Sequence, residues 1–375
     1  MFFPMLLSSV FPQLGRKPRG SKRPAPHHRP CLEVLEDRTV PSSVQGLQTV
    51  PSPDVHGLLS ATAIIAPNDI WAVGWITPAG SSTLQPLAEH FNGTSWSVVP
   101  TPKSPGSYFT RLSALSSNDV WAVGNDPSTN SGLIEHWDGT KWSIVTNPVS
   151  GTGGWLTSVD AIAAKNVWAV GFTAGHSLIE HFDGSSWSVV PISLPNNSEL
   201  SGVSGSSAND IWAVGHVGSV AAPEILHFNG TSWSTVASAP VPSDSSLMSV
   251  SALAPNDAWA VGVSDHGNTL IEHFDGTSWS VVPSPNSTAQ LLSVSAVSAN
   301  NVWAVGYTVD PTTGLEQGVT EHWDGTSWSV LPTPSSSQNQ QLRGVATDSL
   351  GDVVVVGLTF NTSTSQPVIM QASLN

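Results

Sequence analysis

Six histidines recur along the chain, His90, His136, His181, His227, His273 and His322, and five of them directly follow a glutamate. An imidazole beside a carboxylate can hold a metal ion or pass a proton, so these pairs are the first candidates for chemistry. A metal site, however, needs three or four such groups within about 2 Å of one ion. Each histidine lies in its own copy of one local sequence, of which "IEHFDGTSWSVVPSP", residues 271 to 285, is representative. One histidine per repeating unit places them apart, so we expect structural hydrogen bonding, with no metal and no cofactor. Two other charged positions stand out. Arg111 and Arg343 are the only arginines after Arg38, and Asp160 stands where other copies carry Ser113, Ser204, Ser251 and Ser295.

The elements that position these groups follow from the repeat. The tetrapeptide "WAVG" begins at Trp71, Trp121, Trp168, Trp212, Trp259 and Trp303, at intervals of 50, 47, 44, 47 and 44 residues, and "VVVVG" ending at Gly357 is a weaker seventh copy. Such periods occur in helical solenoids and in β-propellers. Short alternating runs of Val, Trp, Ser and Thr, broken by Asn, Asp, Gly and Pro, are strands and turns rather than helices. Each copy divides into four strands, as in "LMSVSALA", "DAWAVGVS", "TLIEHFD" and "TSWSVVP". Asn-Gly or Asp-Gly links the third strand to the fourth in every complete copy, from Asn92-Gly93 to Asp324-Gly325, which is a tight-hairpin signal. Asn68-Asp69 and Asn256-Asp257 precede second strands, where Asx side chains close turns on their own backbone.

The seventh copy ends after its third strand, "QPVIMQASLN", while "LQTVPSP", Leu47 to Pro53, matches "WSVVPSP" with Leu47 in the Trp place. An amino-terminal strand that completes the last sheet leaves no blade unfinished. The expectation is an all-β, seven-bladed β-propeller of four-stranded blades over residues 43–375, with residues 1–42 a basic leader. The twelve repeated tryptophans, Trp71 and Trp96 among them, then serve packing between blades. A second strand ending in Gly, an aromatic before a turn and a Trp in the fourth strand resemble the kelch repeat and the galactose-oxidase-type propellers. The kelch Gly-Gly doublet is a single Gly here, at Gly74, Gly124, Gly171, Gly215, Gly262 and Gly306.

On such a scaffold, binding residues concentrate in the loops of one rim, and those are the segments that differ between copies. The candidates are Trp75, Asn125, Asp126, Trp155, His176, His216, Asp265, His266, Tyr307 and Asp310. Arg111 and Asp160 fall on innermost strands one blade apart and are expected to pair near the central channel.

Composition limits the partners. Seven of the twelve Lys and Arg lie at or before Arg38, which leaves 24 acids against five bases in the rest, a formal charge of −19. That balance disfavours nucleic acid, acidic polysaccharide and anionic lipid. Cys31 is the one cysteine, and no run of about 18 apolar residues exists to span a bilayer. The leader places apolar residues before basic ones, the reverse of a secretory signal. "RPCLEVLEDRTVPSS", residues 29 to 43, resembles the Leu-Glu-x-Arg-type motif at the head of large secreted bacterial proteins and implies an extracellular or cell-surface location.

Enzyme readings lack their parts. Sialidase-type propellers use three arginines, and the galactose-oxidase copper site uses a Tyr joined to a Cys; the propeller has two arginines, no Cys, and only Tyr108 and Tyr307. The expectation is a noncatalytic exported propeller, monomeric, that recognises a protein or a neutral glycan through its variable rim. The alternative is a polysaccharide hydrolase or lyase using two rim carboxylates.

Overall fold

A computed structural model of the protein describes residues 46–53, 55–102, 104–192, 194–195, 197–218, 222–265 and 267–373. The leader and the candidate His266 lie outside the described residues. Among the described residues twenty-eight strands form seven antiparallel sheets of four strands each. In the first blade they run Gly57–Ala66, Asp69–Ile76, Gln85–Phe91 and Trp96–Val99, in that order across the sheet. The first strands of neighbouring blades lie against one another, so they line the ring axis and the fourth strands lie outermost. In the last blade Asn339–Thr347, Asp352–Phe360 and Ser365–Ser373 are completed by Gln48–Val50, which pairs antiparallel with the third strand from Gln48↔Gln371 to Val50↔Ile369. Leu47 occupies the Trp place as expected. It is buried in one cluster with Trp303, Val353 and Met370.

The core is not in the blades but between them. Seven apolar clusters form, one at each interface of adjacent blades. The repeated second-strand Trp is the centre of most. Trp121 meets the next blade's Trp187 edge-on at 5.6 Å and its Phe182 at 4.9 Å, and Trp212 meets Trp279 and Phe274 in the same way. Each indole buries a large apolar area while its edge-to-face contacts fix the angle between blades.

The repeated glycine has a second role. In all seven blades the first strand carries a β-bulge, and the glycine of the second strand pairs at its start, as in Leu59↔Gly74 followed by Ala61↔Val73. A Cβ on that glycine would lie 1.8–2.0 Å from a first-strand carbonyl oxygen, that of Leu58 for Gly74 and of Gln290 for Gly306. Only glycine lets the bulged strand approach this closely. The residue left unpaired by each bulge turns toward the ring axis: Ser60, Thr110, Thr157, Ser201, Met248, Leu292 and Arg343. The Asn-Gly and Asp-Gly turns also form as read, with the Gly at φ 89–95°. The Asx before it accepts the next backbone N–H groups, as Asp275 does from Thr277 and Ser278.

Gly262→Ala is expected to destabilise the fold by about 2–3 kcal/mol, because backbone must move to admit the methyl group. Equilibrium denaturation would read this; an unchanged midpoint would remove the close approach as the reason for the glycine.

Candidate functional site

The bulges build the floor and wall of a cavity at one mouth of the central channel. It has a volume of about 290 Å³. Apolar side chains Leu58, Trp75, Tyr108, Phe109, Met248 and Leu292 line it together with Thr110, Thr157, Ser201, Arg111 and Arg343. Three of the bulged residues use a hydroxyl to donate to the next blade: Ser60 to Phe109 O at 3.1 Å, Thr110 to Leu156 O at 3.1 Å, Thr157 to Leu200 O at 2.7 Å. Met248 and Leu292 carry no donor, and Arg343 donates instead to Gln341 Oε1 of its own strand. Their side chains are left to the cavity.

Arg111 lies across the channel. Its NH1 donates to the carbonyls of Ser60 at 3.2 Å and Arg343 at 3.4 Å, and its NH2 to that of Leu292 at 2.9 Å. All three acceptors are bulge residues, so one guanidinium from the second blade ties together the first, sixth and seventh. Burial and the neighbouring Arg343 push its pKa down to about 10. A smaller space of about 120 Å³ lies beyond it, again lined by Arg111, so the side chain partitions the channel.

The expected pairing of Arg111 with Asp160 does not form. Arg111 sits in register with Val123, but Asp160 sits with Trp168, two residues further along the axis. There Asp160 does the work of the serines it replaces. Ser113 accepts Ala161 N–H at 3.0 Å, Ser204 accepts Ala252 N–H at 3.1 Å and Ser251 accepts Ala296 N–H at 3.1 Å. Asp160 accepts Gly205 N–H at 2.8 Å and also the Ser113 hydroxyl at 3.1 Å. The result is a belt of side-chain bonds from blade to blade, in which burial raises the Asp160 carboxyl to about 6.

The rim candidates separate into groups. Trp75 lines the mouth. Tyr307 donates to Gln290 Oε1 at 2.8 Å, while burial raises its phenol and the charge of Arg343 favours its ionised form. Asn125 is buried and bridges to the next blade through both Leu156 N–H and Leu156 O. Asp126 and Asp310 each close their own turn, on Ser128 and Thr129 and on Thr312 and Thr313. Trp155 stacks on Phe172 at 6.4 Å and 3°. His176 is exposed, and His216 and Asp265 are half-buried on rim segments. Each described cavity is lined by at most one carboxylate. Reading the sequence missed Met248 and Leu292; the glycine inside each strand was the available signal, since it marks a bulge.

The six histidines are parts of the blades. Each lies across from the second-strand Trp of its own blade, with ring centroids 4.2–4.6 Å apart. Each Nε2 lies 2.7–3.0 Å from the Asp or Asn that opens the second strand: Asp69, Asp119, Asn166, Asp210, Asp257 and Asn301. The carboxylates of Asp69 and Asp257, read as turn-closing groups, instead hold these histidines. Among the described residues no group of three or more His, Cys, Asp or Glu converges on a point that could hold an ion. The glutamates are different. Glu272 accepts bonds from Ser238 and Ala239, and Glu321 from Ser284, but both oxygens of Glu135 and of Glu180 are buried without a hydrogen-bond partner. Burial lifts both carboxyls from the usual 4.5 to about 8.

The arrangement belongs to the β-propellers, in the seven-bladed form. No protein-family model and no curated protein matches the chain. Solved structures do. A YCF48 protein bound to D1 peptide is 14% identical with a TM-score of 0.57, over 88% of this chain and 95% of that one. The propeller domain of the Trilobed protease from Pyrococcus furiosus, described as having an open velcro topology, is 11% identical with a TM-score of 0.56, over 85% and 96%. The xyloglucanase of family GH74 from Xanthomonas campestris is 10% identical with a TM-score of 0.55, over 86% of this chain and 55% of that one. Identities this low establish the shared fold alone.

The buried glutamates set a pH dependence. A carboxyl that is protonated in the fold but ionises in the unfolded chain contributes its full stability below 4.5 and loses it as pH rises toward about 8. Glu135→Gln and Glu180→Gln are therefore expected to raise Tm by at least about 2 °C at pH 8 and to change it little at pH 4.5. Equal shifts at both pH values would show that the carboxyls do not titrate in this range.

Proposed function

We propose that the protein is a noncatalytic binding propeller that receives a polypeptide segment at the channel mouth, on the face where the variable loops lie. The observation that carries this reading is the mouth itself, an open cavity walled by Trp75, Met248 and Leu292 over a floor of two arginines. Apolar walls with a few placed polar groups are the usual makeup of a recognition site. A propeller of the same fold holds a peptide in the YCF48 structure bound to D1 peptide, which makes a polypeptide the first partner to test. A neutral glycan is the second, with Trp75 and Trp155 as stacking surfaces. Catalysis on polysaccharide requires two carboxylates about 5–10 Å apart in one cleft. The mouth offers none, and we assign the protein no enzymatic role.

Within propellers, the single glycine, the third-strand aromatic and the fourth-strand Trp support a kelch-like affiliation. The Leu-Glu-x-Arg-type motif supports export to the cell surface, with the propeller acting as a monomer there.

The test is binding of the full chain to arrays of peptides and neutral glycans, with product analysis of each retained sample. Binding without cleavage is expected, weakened about tenfold by Trp75→Ala, as for loss of a buried aromatic anchor. Cleaved product from any ligand would overturn the noncatalytic reading.

A further inference from the structure

Arg343 is poorly served by its surroundings. It is the bulged residue of the last blade and lines the mouth. Its NH2 donates to Gln341 Oε1, while its Nε–H is buried with no partner. Glu316 accepts Gln341 Nε2 at 2.6 Å and acts on Arg343 through space, without an ion pair to it. Arg111, beside it, is satisfied by carbonyl dipoles and by no carboxylate. Among the described residues neither arginine forms an ion pair. Two guanidiniums thus lie together on the floor of one cavity, with a single unpaired carboxylate, Glu316, near one of them. Desolvated like charges without a counter-ion are costly, and they favour whatever anion can enter.

The wall restricts which anion that is. Around the arginines stand Leu58, Phe109, Met248 and Leu292, with Trp75 at the side, so a strongly hydrated ion would lose its water without replacement. A planar carboxylate matches the guanidinium fork, and an apolar group joined to it would fill the wall. The remainder of the propeller is strongly acidic and would repel carboxylates elsewhere.

We infer that the channel mouth is a receptor for a carboxylate joined to an apolar group, with Arg343 taking the carboxylate and Trp75, Met248 and Leu292 the apolar part. The inference deepens the binding reading above and rests on it. Two sources carry this chemistry: the free carboxyl terminus of a polypeptide ending in an apolar residue, or a free acid such as hexanoate.

Calorimetric titration of the full chain tests it with three probes: a short peptide library ending in Leu, the same library amidated at the terminus, and hexanoate. The free-acid peptides or hexanoate should bind, and the amidated peptides should bind at least about tenfold more weakly. Tighter binding of the peptides identifies a chain terminus; equal binding of hexanoate identifies the carboxylate itself as sufficient. Arg343→Gln should abolish the preference for the free acid. Met248→Glu, which leaves both arginines in place and supplies a competing carboxylate, should weaken binding in the same sense. Equal affinity for the acid and amide libraries would overturn the inference while leaving a peptide-binding propeller intact. Silence with all three probes would also overturn it, and peptide arrays would then decide the wider reading separately.

Discussion

The structure depends on one close approach, that of the second-strand glycine to a carbonyl of the first strand. Where a Cβ would overlap that oxygen, the inner strand can bulge, and it does so in every blade. The bulge has two effects on the ring axis. It turns one side chain per blade inward, and it exposes carbonyls that would otherwise belong to a ladder. In the first three blades a hydroxyl answers a neighbouring carbonyl, so the ring is tied by short side chains. In the last three blades Met248, Leu292 and Arg343 offer no such hydroxyl, and Arg111 crosses the channel to donate to the carbonyls of Leu292 and Arg343. The candidate site is therefore the place where the repeat departs from its own solution.

Away from the axis the repeat is closely kept. Each second-strand Trp lies on the His of its own blade and all but Trp303 lie against the aromatics of the next, and the His is fixed in turn by the Asp or Asn that opens the strand. The unit holds the angle between sheets, which a ring must keep within narrow limits to close. The two interfaces of the last blade use smaller parts: Leu47 takes the Trp place against Trp303, and Val354 packs in one cluster with Trp96.

The fold was legible because its signals are local and repeated. The Asn-Gly and Asp-Gly turns, the tetrapeptide ending in Gly and the match of Leu47–Pro53 to a fourth strand each depend on a few adjacent residues. The site was less legible because it depends on register. Arg111 and Asp160 both lie on inner strands, yet a separation of two residues along the axis puts one in the mouth and the other in a belt of backbone bonds. Met248 and Leu292 sit within apolar runs of alternating strands, and only the extra residue of the bulge turns them inward. Asp126 and Asp310 look like ligands by type but are occupied by their own turns. The repeated glycine carried more information than was drawn from it. It marked the close approach, and with it the position of each bulged side chain that lines the cavity.

The arginine with a buried, unpartnered Nε–H on this floor is the group proposed to select what enters. The most direct measurement is a crystal structure of the protein grown with 6-bromohexanoate, with the bromine located by its anomalous signal. The account predicts the carboxylate on Arg343 and the bromine among Trp75, Met248 and Leu292. Bromine found only at sheet edges or on the opposite face, with the mouth empty, would contradict it.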